Sequence, residues 1–184
     1  MINFTTTSAG YFIRAKDDIL VFMNQYDIPS DVKQQVLMIS NPEYSDGTFY
    51  VIGDSLEAAC IHAIYYATFN SNTCSYIASD RLMDSTRAMT SVFDKYFKDS
   101  IDGFISYHRK KDITFNNGSK ILLTVNKSDY RGRTINNLYL MTTPTEDMQN
   151  SLLPVMFASR GNVLYRIDYD KDILIENKLD RLEL

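Results

Sequence analysis
The sequence predicts an α/β domain: a mostly parallel sheet with flanking helices and an inserted β-hairpin. Three observations lead there. Thr48-Phe49-Tyr50-Val51-Ile52 is a β-type run that turns at Gly53-Asp54-Ser55 into a helical pattern. Thr73 to Ser79, followed by the residues after Asp80, repeats the strand-then-helix order. Asn116-Asn117-Gly118-Ser119 then marks a hairpin, because an Asn-Gly pair takes positive φ at little cost.

Each element has a local reason. Residues 1–10 are polar and carry no periodic pattern. Residues 15–26 read as a helix. Pro29-Ser30-Asp31 is a helix start, and Val32, Val36, Leu37 and Ile39 follow at helical spacing until Asn41-Pro42 stops them. Ser45-Asp46-Gly47 turns into the Thr48 strand. Leu56, Ala59, Cys60, Ala63, Ile64 and Ala67 recur at i, i+3, i+4 and i+7, one buried face of a helix. Ser71-Asn72 turns into the Thr73 strand. Asp80 is expected to cap a further helix with Met83, Met89, Val92, Phe93, Tyr96 and Phe97 facing inward. Short strands are expected at 104–108, 112–115, 120–125, 135–141 and 162–167, with a short helix at 146–153 and a terminal helix in 170–184. The 184 residues divide into an N-terminal helical region (1–47), an α/β core (48–169) and a C-terminal tail (170–184) of a single domain.

Composition narrows the function classes. Apolar content of 45% suits a globular core, and no run approaches the length of a membrane span. The N-terminus, Met1-Ile2-Asn3-Phe4-Thr5, lacks the basic-then-apolar layout of a signal peptide, so a cytoplasmic location is expected. A net charge of −4 argues against a large nucleic-acid surface. The dense basic cluster is His108-Arg109-Lys110-Lys111, and Arg131 and Arg133 follow in a polar loop. Arg109, Lys110 and Lys111 suit a charged strand edge. Arg131 and Arg133 suit either a solvated loop or a contact to an anion or a partner. The two cysteines, Cys60 and Cys74, and the two histidines, His62 and His108, show no metal-ligand spacing and no nucleophile-base set. No metal and no cofactor are expected.

The strand-turn-helix at 48–70 has the layout that grips a nucleotide phosphate. A working phosphate loop reads G-x-x-x-x-G-K-[ST], with lysine and hydroxyl on phosphates and magnesium. Here Gly53-Asp54-Ser55-Leu56-Glu57 carries no lysine. A helix N-terminus attracts anions through its free N–H groups and dipole. Asp54 as N-cap and Glu57 three residues on form a carboxylate version of the capping box, so this helix start brings its own anions.

From about Thr48 to Ile167 the order of motifs resembles the ATPase domain of the terminase large subunit of tailed bacteriophages. Tyr65-Tyr66-Ala67-Thr68-Phe69-Asn70 leads to the Ile77-Ala78-Ser79 strand and a helix with Met83 and Arg87. Asp112 to Ile121 looks like the family's I-x-F-x-N-G-S-x-I hairpin. Ser128-Asp129-Tyr130-Arg131-Gly132 looks like the loop that ends in Arg-Gly, and Ile135 to Met141 is the apolar strand that follows it. The resemblance implies a three-layer, P-loop-NTPase-like sheet. It also implies where catalytic groups would stand. Where the family has Gly-Lys-[Thr/Ser], this chain reads Gly53-Asp54-Ser55-Leu56-Glu57, and the family's Asp-Glu pair falls at Met141 and Thr142. Met141-Thr142-Thr143-Pro144 also resembles the family's later coupling motif, a strand ending Thr-Thr-Thr-Pro, but the upstream Arg131-Gly132 loop argues for the acidic strand.

Lysine and both acids are thus replaced, and ordinary phosphoryl transfer needs all three. Asp129, Glu146 and Asp147 are the acids left nearby, and no spacing selects them. The expectation is a phage-encoded, non-catalytic protein on a degenerate ATPase scaffold. It would act in the host cytoplasm by binding a protein partner: terminase, portal or a host factor. The alternatives are a divergent nucleotide-binding ATPase and a small nucleic-acid-binding module using Arg109, Lys110, Lys111, Arg131 and Arg133.

Overall fold
Strong β-formers at Phe49–Ile52 (β1), Cys74–Ser79 (β2), Ile105–His108 (β3), Asp112–Phe115 (β4), Lys120–Val125 (β5), Asn137–Leu140 (β6) and Asn162–Arg166 (β7) assemble one sheet. The computed structural model describes residues 18–39, 49–52, 55–97, 105–108, 112–125, 134–141, 155 and 162–166. The expectations for residues 1–10, 146–153 and 170–184 lie outside them.

The strand order is β1-β7-β6-β2-β5-β4-β3. The β1–β7, β7–β6, β6–β2 and β2–β5 pairs are parallel, and β5–β4 and β4–β3 are antiparallel. The mostly parallel sheet is therefore as predicted, with a hairpin extension on one side. The chain skips two places in going from β1 to β2, then returns to fill them with β6 and β7.

Helical segments among the described residues include 18–25 (α1), Ser30–Ile39 (α2), Leu56–Phe69 (α3), Leu82–Val92 (α4) and a π-helical turn, Phe93–Phe97, that continues α4. Alternation along the strands sorts the core into two layers. Ile77, Ile121, Leu123, Tyr139 and Met141 face the helices with Ile19, Met23, Val36, Ile61, Ile64 and Phe97. Tyr76, Ala78, Leu138 and Leu140 face the other way, with Ile135 buried among them and Val155 against them. Helix α3 buries Ala58, Ala59, Cys60, Ile61, Ala63, Ile64 and Ala67, which is more of its circumference than the predicted stripe. A helix apolar nearly all round belongs in the interior.

Two local expectations are corrected. Arg81, not Asp80, is the N-cap of α4, and its side chain makes no capping bond. Ser79 Oγ instead donates to the Arg81 carbonyl at 2.8 Å and pairs with Ser85 Oγ at 2.8 Å, which tethers strand to helix directly. Met83 is 54% exposed and does not face inward. The π-helical turn carries Phe97 into an aromatic cluster, 5.7 Å from Phe22 and 4.8 Å from Tyr26 between ring centroids. Aromatic pairs at such separations add to burial itself.

The hairpin motif has a structural task. Gly118 sits at φ +83°, and a Cβ there would meet the Asn72 side chain. Asn117 Nδ2 donates to the carbonyls of Ala67 (2.8 Å), Thr68 (3.3 Å) and Asn70 (3.4 Å), the orphan acceptors at the end of α3. Asn117 Oδ1 accepts from Ser119 N at 3.0 Å. Ser119 Oγ accepts from Thr73 N at 3.1 Å and donates to the Asn70 carbonyl. The Asn-Gly-Ser turn thereby ties the end of α3 to the start of β2.

Candidate functional site
In an open parallel sheet, ligands bind outside the carboxyl ends of the strands. Strands β1, β7 and β6 are parallel and adjacent in that order, so their carboxyl ends share one edge. Helix α3 starts at Leu56, four residues past Ile52. Met141 follows β6 directly, two strand spacings from β1, roughly 10 Å across the sheet. The fold thus brings Ser55 and Glu57 to the same edge as Met141. Gly53, Asp54 and Thr142 lie outside the described residues, as do Arg109, Lys110, Lys111, Arg131 and Arg133.

The first turn of α3 differs from the predicted capping box. Ser55 is the N-cap: its backbone is extended (φ −98°, ψ 104°) and its Oγ accepts from Ala58 N at 3.1 Å. The N-cap accepts from the residue three on, which is Ala58, so Glu57 is one position short of the return bond. Glu57 instead turns to the end of the π-helical turn. Its Oε1 lies 3.1 Å from Lys95 Nζ and accepts from Tyr96 Oη at 3.0 Å. Burial, the bond to Glu57 and the charges of Glu57 and Asp31 push the Tyr96 phenol up to about 12. One turn farther along, burial and then the Glu57 charge raise the Cys60 thiol, so it stays protonated and inert.

Lys95 and Tyr96 are the residues that sequence reasoning misses here. They lie 38 and 39 positions from Glu57, and both sit in the π-helical turn that meets it. No periodicity announces that turn.

At the end of β6, Met141 is 3% exposed and belongs to the helix-facing core, with its N–H donating to the Ala78 carbonyl at 3.0 Å. A thioether suits that apolar layer, whereas a carboxylate there would need a cation or several donors. Beside it on β6, Tyr139 is fully buried, and its hydroxyl lies 2.7 Å from His62 Nδ1 on α3. Burial lowers His62 to about 4, so the imidazole is neutral at ordinary pH, and its tautomer sets whether Nδ1 or the phenol donates. His62 therefore acts as a strut between helix and strand. Among the described residues no cluster of three or more His, Cys, Asp or Glu could hold a metal ion. No described helix is long and apolar enough to cross a membrane.

The fold has a counterpart among solved structures. The chain superposes on the ATPase domain of the large terminase of Thermus phage P74-26 with a TM-score of 0.56. The match covers 77% of this chain and 67% of that one, at 12% identity. The fold is terminase-ATPase-like. No family model matches the chain, and no curated protein matches it by sequence. At 12% identity the likeness speaks for the architecture alone, and the chemistry has to be argued from this chain's own residues.

Proposed function
We propose that this chain is a non-catalytic, phage-encoded protein that keeps a terminase-ATPase-like fold and works by binding a protein partner in the host cytoplasm. The partner class is the packaging machinery (terminase or portal) or a host factor. The observation that carries the proposal is the first turn of α3. Its carboxylate, Glu57, is held there by Lys95 and Tyr96, where a nucleotide phosphate would need a cation. Met141, buried in the apolar core where the acidic pair would begin, supports the same reading. On this reading the chain lacks the phosphate lysine and the acidic pair that phosphoryl transfer uses.

Two measurements on the purified full-length chain test this. ATP turnover with Mg²⁺ is expected to be absent. Turnover that disappears in Asp129→Asn or Glu146→Gln would overturn the proposal. Copurification of the tagged chain with the phage's own terminase or portal, from cells expressing both, is the positive test.

One observation favours a second reading, a divergent nucleotide-binding protein. Lys95 puts an ammonium group beside the first turn of α3, though not from the turn itself. Were Lys95 a substitute phosphate ligand, Mg-ATP would raise the thermal midpoint of the native chain and not that of Lys95→Ala.

A further inference from the structure
On β2, Ser75 is fully buried, and its hydroxyl has no hydrogen-bond partner in the protein. Alternation puts Ser75 on the helix-facing side with Ile77, and its register partner across the β2–β6 pair is Asn137, itself 2% exposed. One step along the same pair, Ile77 lies opposite Tyr139, which meets His62. A short polar seam of Ser75, Asn137, Tyr139 and His62 therefore runs beneath α3 through a mostly apolar layer. A hydroxyl left without a partner in such a layer is unfavourable, and native proteins meet that cost with ordered water.

We propose that Ser75 Oγ is a ligand of one internal water molecule, held between β2 and β6 under α3 and shared with the Asn137 carboxamide. Parallel neighbours stand about 4.8 Å apart, and side chains on the same face at that spacing can be bridged by one water. Ser75 offers both a donor and acceptors, and Asn137 Nδ2 offers donors, so one water can accept from Asn137 and bond Ser75 in either sense. The site is fixed by two strands in register, which makes the water long-lived compared with surface hydration.

Oxygen-17 water relaxation dispersion on the full chain counts such long-lived waters. The expected result is one fewer in Ser75→Ala than in the native chain, with the thermal midpoint lowered by a few degrees. An equal count in both, with Ser75→Ala as stable as the native chain or more so, would overturn the proposal, since a dry hydroxyl is better removed. Should Ser75→Ala fail to fold, a crystal structure of the native chain decides: density within hydrogen-bond distance of Ser75 Oγ supports the site, and its absence at high resolution refutes it.

Discussion
Replacing Asn117 with alanine tests the claim that the Asn-Gly-Ser turn is a structural clamp. The carboxamide makes two well-placed bonds, to the Ala67 carbonyl at 2.8 Å and from Ser119 N at 3.0 Å. The longer approaches to Thr68 and Asn70 share the same donor. At about 1 kcal/mol net per hydrogen bond, the loss is about 2 kcal/mol. For a domain of this size, 1 kcal/mol moves the thermal midpoint by roughly 2–4 °C, so a fall of roughly 4–8 °C is expected. Differential scanning calorimetry reads it. Asn117→Asp should fall further, because it sets a carboxylate against the carbonyl end of α3. Lys120→Ala, an exposed position on β5, is the control and should stay within about 0.5 kcal/mol of the native chain. A midpoint for Asn117→Ala within a degree of the native value would refute the clamp.

Three other predictions concern the α3 region. Ser55→Ala removes the side-chain acceptor for Ala58 N and should cost about 1 kcal/mol in urea denaturation, with Ser55→Asp retaining the cap. His62 is held near 4 when folded against 6.5 when free, so the unfolded chain binds the extra proton first. Stability tied to it is present above about pH 6.5 and declines as the pH falls toward 4, by at most roughly 3 kcal/mol. The ring's residue keeps some solvent exposure, so the measured slope should be smaller, and His62→Gln should flatten it. Tyr96 moves the other way: its folded value near 12 exceeds the ordinary 10, so its contribution is intact below pH 10 and disappears as the pH rises toward 12. Glu57→Gln should bring the Tyr96 titration, followed by ultraviolet absorbance, back toward 10, and an unmoved titration would show that Glu57 does not hold the phenol.

The elements most open to sequence reasoning are those whose pattern is local. The i, i+3, i+4 recurrence from Leu56 to Ala67 marks α3, and the Asn117-Gly118 pair marks the hairpin, because backbone preference and burial agree there. Capping was legible only to within one residue. Gly53, Asp54 and Ser55 all favour a helix start, and the geometry that selects Ser55 is not written in residue type. The strand order was not legible, since insertion of β7 and β6 between β1 and β2 depends on crossovers and not on any strand's own composition. The π-helical turn is set by packing of Phe97 against Phe22 and Tyr26, contacts more than 70 residues apart in sequence. That turn is also what delivers Lys95 and Tyr96 to Glu57. The half of the site made by distant residues was therefore out of reach, while the missing lysine at Gly53–Glu57 could be read directly.

Thermal unfolding of the full chain in rising Mg-ATP tests the central claim most directly. A site with a dissociation constant one-hundredth of the ligand concentration would add about 2.7 kcal/mol, or roughly 5–11 °C at this chain length. With Glu57 engaged by Lys95 and Tyr96 at the start of α3, the account predicts a midpoint that does not move up to millimolar Mg-ATP. A midpoint that climbs steadily with Mg-ATP would contradict it.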